Sequence, residues 1–357
     1  MRPGAASVEP DRIRAAWQGR VSGCLLGKPL EVLSFREGPG GVHRYLHDAA
    51  AVPLRDYVPP LDGAALTEAD RACCRGHIVR AEPDDDIDYT LLALVLLEEH
   101  GSSLQTEDVA RAWLRLLPGG ATWTAERAAY RTLLDRMAEQ FVNGEPPGFD
   151  LRECSDNVYN EWIGGQIRAD LYGWVCPGRP TLAAELARRD ASLSHRGDGV
   201  HAAAFVAALA AALPACSNLD TALDMALAEI PAHSGAAEAV QFGRSIAGAT
   251  DAVARLHRHY PQLTPLHAVN NLALVVWALC AHAGDFSATV GEAVAAGWDT
   301  DCNGATAGGL CALSGAPIDD RWTKPWQGRI GTRLAGHSQL QLEDIVQRTV
   351  NVARAIA

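Results

Sequence analysis

The sequence predicts an all-α protein, and three observations carry that expectation. Apolar residues recur at three- and four-residue steps through most of the chain. Alanine is abundant while aromatics make up only 6%, a balance that favours closely packed helices over a β-sandwich. Alternation with a period of two is scarce, and only the segment 33–57, with Leu33, Phe35, Val42, Tyr45, Leu54 and Tyr57 among Gly and Pro, leaves room for a small β element.

Helices are expected in order. Near the N-terminus, Gly19, Gly23 and Gly27 lie four residues apart, a smooth stripe against which a second helix packs closely; Glu31 follows Pro29, at the expected end of that helix. Residues 87–100 place Ile87, Leu91, Leu94 and Val95 or Leu97 on one face. Residues 106–116 open on Thr106, Glu107 and Asp108, and 124–142 on Thr124 and Glu126. The run 157–173 mixes Asn157, Asn160, Gly164, Gly165, Gln166, Arg168 and Asp170 on an expected helix, and Gly-Gly inside a helix admits a closely approaching group. Residues 199–213 are apolar all round, hence a helix buried on every side. Further helices are read at 218–229, 235–257, 265–283, 286–296 and 341–356. The Pro/Gly-rich patches at 38–41, 58–63, 143–148 and 176–180 are short loops. The 357 residues therefore read as one large domain, 1–357, although the length alone allows two.

Composition narrows the function. Hydrophobic residues at 48% exclude global disorder. With 31 basic against 43 acidic residues the formal net charge is −12, the wrong sign for a nucleic-acid binder held by phosphate contacts or for attraction to an anionic membrane. The opening MRPGAASVEPDRIRAAW has no apolar core of a secretory signal, and Ala202–Cys216, containing Pro214, reads as too short to span a bilayer. Nine scattered cysteines form no CxxC pair, which fits reduced, mostly buried thiols and a cytoplasmic location. Neither a nucleophile elbow nor a GxGxxG loop is present, which disfavours acyl transfer and dinucleotide redox chemistry.

Two acidic segments carry the chemistry. Asp84, Asp85, Asp86 and Asp88 precede one strongly periodic helix; Asp299-Thr300-Asp301-Cys302 sits between Gly297 and Gly304 ahead of a small-residue helix. Acids at helix starts also serve as caps, and either cluster alone is explained that way. Together they point to metal, because adjacent carboxylates repel unless paired, and hard oxygen ligands suit Mg²⁺, Mn²⁺ or Ca²⁺. Two such clusters brought together hold two ions about 3.5–4 Å apart in two-metal hydrolases. Gly297 and Gly304 leave room for an irregular turn that aims Asp299 and Asp301 at one centre. Glu31, beside a negative helix end, needs a positive partner such as a metal or its water. Trp298, between Gly297 and Asp299, is placed to stack on a base or ribose. His195, His267 and His282 read as structural when taken alone.

In this order, over about residues 11–315, these segments resemble the ADP-ribosylglycohydrolase family, which includes the dinitrogenase-reductase-activating glycohydrolases. The GxxxGxxxGxxxE run ending at Glu31 looks like the family's opening motif. Asp84-Asp85-Asp86, followed by Thr90, resembles its Thr-Asp-Asp motif, and Asp299-Thr300-Asp301-Cys302 its Asp-x-Asp-Thr/Ser motif. Ser194-His195-Arg196-Gly197-Asp198-Gly199 looks like a further family element.

The resemblance implies an all-α orthogonal bundle around a binuclear Mg²⁺ or Mn²⁺ site. It implies hydrolysis at the anomeric carbon of ADP-ribose, linked to protein or to a small acceptor. Carried over by position, Asp84, Asp85, Asp86, Asp299, Asp301 and Cys302 become metal ligands, and Glu31, Asp85 and Asp301 the catalytic set. Gly164, Gly165, Gln166, Arg168, His195 and Trp298 become the substrate-lining residues. The chain departs from the pattern at Asp84 in place of Thr, at Ile87 in place of Thr, and at Cys302 in place of Thr/Ser. A protonated thiol is a poor ligand for Mg²⁺, so one ion or a preference for Mn²⁺ also fits, and so does a small N-riboside or nucleotide-derived substrate. A metal-dependent phosphohydrolase and a non-catalytic ADP-ribose-binding protein are the rival readings.

Overall fold

The computed structural model describes residues 7–356; the first six residues of the opening segment, read above for a secretory signal, lie outside them. Most of the described chain is helical. In order it forms α1 (Pro10–Gly27), α2 (Glu31–Asp48), α3 (Glu68–Ala72), α4 (Asp85–His100), α5 (Thr106–Leu116), α6 (Thr124–Arg136), α7 (Asp170–Trp174), α8 (Pro180–Ala191) and α9 (Gly197–Ala212). There follow α10 (Leu219–Leu227), α11 (Gly235–Ser245), α12 (Ala252–His259), α13 (Ala268–Ala281), α14 (Phe286–Ala295), α15 (Thr300–Leu313), α16 (Asp320–Thr323) and α17 (Leu342–Ile356). Between α16 and α17 lies an antiparallel hairpin, β1 (Arg329–Gly331) and β2 (Gln339–Gln341), pairing Ile330 with Leu340.

The tightest packing joins α1 to α15. A methyl group added at Gly19, Gly23 or Gly27 would overlap the backbone of Gly308, Gly304 or Thr300 respectively. The four-residue glycine stripe therefore has its partner in the small-residue helix near the other end of the sequence. Helix α17 closes over α1, where Trp17 Nε1 donates to Thr349 Oγ1 at 3.0 Å. Helix α9 is buried from Ala202 to Ala212, as its all-round apolar pattern predicts. Together with the turn after it, Gly197–Ala215 is by length and composition apolar enough to cross a membrane, so the sequence reading of this stretch as too short does not hold. Its apolar side chains are instead enclosed by the protein core.

Several expectations are corrected. The segment 33–57 holds no strand: residues 31–48 are helical, kinked at Gly38 (φ +64°) before Pro39. The helix from 124 stops at Arg136, because Met137 turns extended and Ala138 N–H bonds the Pro147 carbonyl. The stretch 235–257 is two helices, α11 and α12, broken between Ile246 and Asp251. Residues 157–173 are turns, a 3₁₀ segment at Ile163–Arg168 and short α7, because Gly164, Gly165 and the close approach of neighbouring segments oppose a regular helix. Helix α8, which opens on Pro180 and buries Ala183, Leu186 and Ala187, and the hairpin are additions to the sequence reading. All nine cysteines are free, and seven of them are buried.

Candidate functional site

Three helix N-termini converge. Asp84 is the N-cap of α4, its Oδ1 accepting from the Asp86 N–H at 3.1 Å. Asp299 is the N-cap of α15, Asp301 lies in that helix's first turn, and Glu31 opens α2. Carboxylates at N-termini meet the positive ends of three helix dipoles. Glu31 thus sits at a helix start, not at a helix end as its place after Pro29 suggested, because the chain turns through a short 3₁₀ segment, Lys28–Leu30, and begins a new helix at once.

The α1–α15 contact brings the motifs together. Thr300 Oγ1 donates to the Gly27 carbonyl at 2.8 Å, fixing the start of α15 against the end of α1. Gly297 (φ +86°) and Trp298 (φ +58°) form the left-handed turn that aims Asp299 inward. Gly304 plays no part in that turn; it packs on Gly23.

Ligand atoms of Asp86, Asp301 and Cys302 lie within 4.8 Å of one another, as do those of Glu31, Asp299 and Asp301, and those of Cys24, Asp84 and Asp86. The acids of the two sequence segments therefore form one cluster. Asp84, Asp86, Asp299 and Asp301 are buried, whereas Glu31 and Asp85 are half-buried and give the cluster its opening to solvent.

Burial pushes the Asp86 and Asp299 carboxyls well above the usual range; Arg20 opposes this at Asp86, and Asp301 adds to it at Asp299. Burial and the neighbouring Asp84 and Asp86 do the same to Asp85, and burial with Asp301 to Glu31. At Asp84 burial is outweighed by the Lys28 ammonium, which holds the carboxyl down at about 2. Burial and the surrounding carboxylates push the Cys302 thiol up, so it stays protonated and a weak ligand for a hard ion.

The donor set nevertheless fits a divalent cation. Asp86 Oδ2 and Asp299 Oδ1 are buried without a hydrogen-bond partner, and buried carboxylate oxygens are normally paired or bound to metal. Asp84, Asp85, Asp86, Asp299, Asp301 and Glu31 are the oxygen ligands available.

Sequence reasoning missed three supports. Lys28 Nζ lies 2.6 Å from Asp84 Oδ2, 3.2 Å from Glu31 Oε2 and 3.3 Å from Asp301 Oδ2. The positive partner that Glu31 required is thus three residues upstream, and its charge beside the motif was the available signal. Arg20 is fully buried; it donates to the Asp86 carbonyl at 2.8 and 3.0 Å and to Asp86 Oδ1 at 3.0 Å, and pairs with Asp170 at 3.1 Å. Asn271 Oδ1 accepts from Asn303 Nδ2 at 2.7 Å and from the Asp299 N–H at 3.4 Å. Nothing in the sequence singled out Arg20 or Asn271.

All six expected substrate-lining residues are buried. Arg168 is enclosed: it pairs with Glu126 at 2.8 Å and Asp190 at 3.0 Å, donates to Ser194 Oγ at 2.9 Å, and lies over the rings of Tyr89 and Trp113. Placed this way it ties α6, α8 and the 163–168 segment together. His195 Nε2 accepts from the Gly165 N–H at 3.2 Å, and its Nδ1 faces Ser194 Oγ at 2.8 Å. A methyl at Gly164 would overlap the Glu126 carboxylate, so this glycine admits a protein side chain rather than a ligand. Gln166 is fully buried with both amide atoms unpartnered. The Trp298 ring is 6% exposed and packs on His257 and Tyr260. Thr90 hydrogen-bonds the Asp86 carbonyl within its own helix, and Ile87 joins the core. A cavity of 810 Å³ beside α12 and α13, lined by His43, His257 and Trp277, contains none of the acids.

A family model described as ADP-ribosylglycohydrolase matches residues 5–354. No curated protein matches the sequence. Among solved structures 38 chains match; one, described as an ADP-ribosylglycohydrolase-related protein complex, is 20% identical, with 98% of this chain and 99% of that one covered at a TM-score of 0.58. At that identity the likeness speaks for the fold, the all-α architecture expected from the sequence. The family match spans nearly the whole chain, and the protein belongs to the ADP-ribosylglycohydrolase family.

Proposed function

We propose that the protein is a metal-dependent hydrolase that cleaves the N-glycosidic bond at the anomeric carbon of ADP-ribosyl or related ribosyl substrates. The observation that carries this reading is the convergence of Asp84 and Asp86 with Asp299, Asp301 and Glu31 in one cluster with orphaned carboxylate oxygens, Asp85 lying in the chain between Asp84 and Asp86. Mg²⁺ or Mn²⁺ bound there supplies Lewis acidity and a water of lowered pKa.

The remaining chemistry belongs to the side chains. Cleavage of a glycosidic bond develops positive charge on the sugar ring, and the ring of carboxylates stabilises that charge in a site largely closed to water. Glu31 and Asp85, the half-buried members, face the entry side and are placed to take the proton of the attacking water. Burial pushes both carboxyls up, the direction in which a carboxylate gains basicity. Arg20 and Asn271 hold Asp86 and Asp299 in place.

The test is a product assay with Mg²⁺ or Mn²⁺ and a panel of ADP-ribosyl and ribosyl compounds, protein-linked and small. Release of free ADP-ribose or ribose supports the proposal. Release of inorganic phosphate from the same compounds supports a phosphohydrolase instead. Calorimetric binding of ADP-ribose without turnover of any compound supports a non-catalytic binding protein.

A further inference from the structure

We propose that Lys28 takes the place of one of the two cations, so that this chain holds a single divalent ion beside a built-in ammonium. The inference rests on the metal-site reading above and fixes its stoichiometry. Lys28 Nζ has three donors and meets three carboxylates, Asp84 at 2.6 Å, Glu31 at 3.2 Å and Asp301 at 3.3 Å. These come from the starts of α4, α2 and α15, so the ammonium already joins the segments that a bridging ion would join.

Each of the three groups of neighbouring ligand atoms gives up at least one member to Lys28: Asp84 from the group with Cys24 and Asp86, Asp301 from the group with Asp86 and Cys302, and both Glu31 and Asp301 from the group with Asp299. Two of those groups are completed only by a thiol, a poor ligand for a hard ion. A second metal drawn to Asp84 and Asp301 would have to share their oxygens with a fixed positive charge, and like charges in a poorly solvated site repel strongly. Oxygens that Lys28 does not touch include those of Asp85 and the orphaned Asp86 Oδ2 and Asp299 Oδ1, enough for one ion completed by water.

The experiment counts manganese. The full chain is stripped with chelator, dialysed to equilibrium against Mn²⁺, and analysed for metal per chain and by electron paramagnetic resonance. The wild type is expected to hold one Mn²⁺ with the spectrum of an isolated ion, Lys28→Arg likewise, and Lys28→Met two ions with a spin-coupled spectrum. Two coupled ions in the wild type overturn the role of Lys28 and leave the metal-dependent reading standing. One ion in both wild type and Lys28→Met also overturns it. No ion in any of them overturns the metal reading itself. The Lys28 side chain is 21% exposed, and circular dichroism reports whether the variant folds; two coupled ions in the wild type overturn the proposal whether or not it does.

Discussion

Gly23 and Gly304 pack backbone against backbone: a methyl on either would overlap the carbonyl oxygen of the other. This contact joins a helix near the start of the chain to one near its end, and it sets Glu31 and Lys28 beside Asp299 and Asp301. The stability of the fold and the assembly of the site thus share one interface.

Gly23→Ala is therefore expected to destabilise the protein by at least about 1–3 kcal/mol, the usual cost of overpacking, because the atoms that must move are backbone. Thermal and urea unfolding measure the loss. An unchanged midpoint would mean the two helices can separate freely.

Asp85→Ala and Asp301→Ala are expected to lower turnover by on the order of 10²–10³-fold or more while leaving helical circular dichroism intact. Each removes a carboxylate from the cluster without touching the core. Retained activity in both variants rejects the catalytic assignment.

Metal should stabilise as well as activate. The cluster packs like charges together, so an ion that binds only the folded state raises stability by about 2.7 kcal/mol at a concentration 100 times its dissociation constant. Chelator should lower the melting temperature and Mn²⁺ or Mg²⁺ restore it; a midpoint indifferent to both speaks against a metal at this site.

Arg20 and Lys28 differ in burial, and their variants should differ accordingly. Arg20 is fully enclosed between Asp86 and Asp170. Arg20→Met leaves two buried carboxylates without their partner, which costs about 3–5 kcal/mol. Lys28→Met, at a partly exposed position, should cost far less in the presence of metal. Equal losses in denaturant titrations would contradict this division.

His195 predicts a pH dependence. Burial first, then the Arg168 guanidinium, pushes its imidazole well below the ordinary 6.5, with Glu126 3.8 Å away on the other side. Its ring stays neutral in the fold, and the unfolded chain takes up a proton that the fold refuses. Stability from this residue is full above pH 6.5 and falls as the pH drops below it, by about 1 kcal/mol at pH 5.5. Unfolding of wild type and His195→Gln at pH 7.5 and 5.5 isolates it: the variant should lose less on acidification.

Much of this was legible in the chain. The periodic runs at 87–100, 106–116 and 286–296 matched α4, α5 and α14 closely, because an amphipathic or wholly apolar pattern of that length has one way to be buried. The two acidic segments were legible because carboxylates crowded at helix starts exceed what capping needs. Boundaries at 136 and 246 were not, since extended residues and a loop end those helices without a strong stop signal. The expected helix over 157–173 was not borne out because Gly164-Gly165 reads alike in a closely packed helix and in a tight turn.

By itself the sequence determined an α-helical protein, a glycine stripe that demanded a close partner, and two sets of acids that demanded a cation, for each of these follows from local spacing and side-chain chemistry. Only the tertiary structure decided which helix fills the stripe, that Lys28 stands among the acids, and that Arg168 and His195 are spent on one another's surroundings. Those outcomes depend on which distant residues share a desolvated space, and burial, unlike periodicity, is a property of the whole fold.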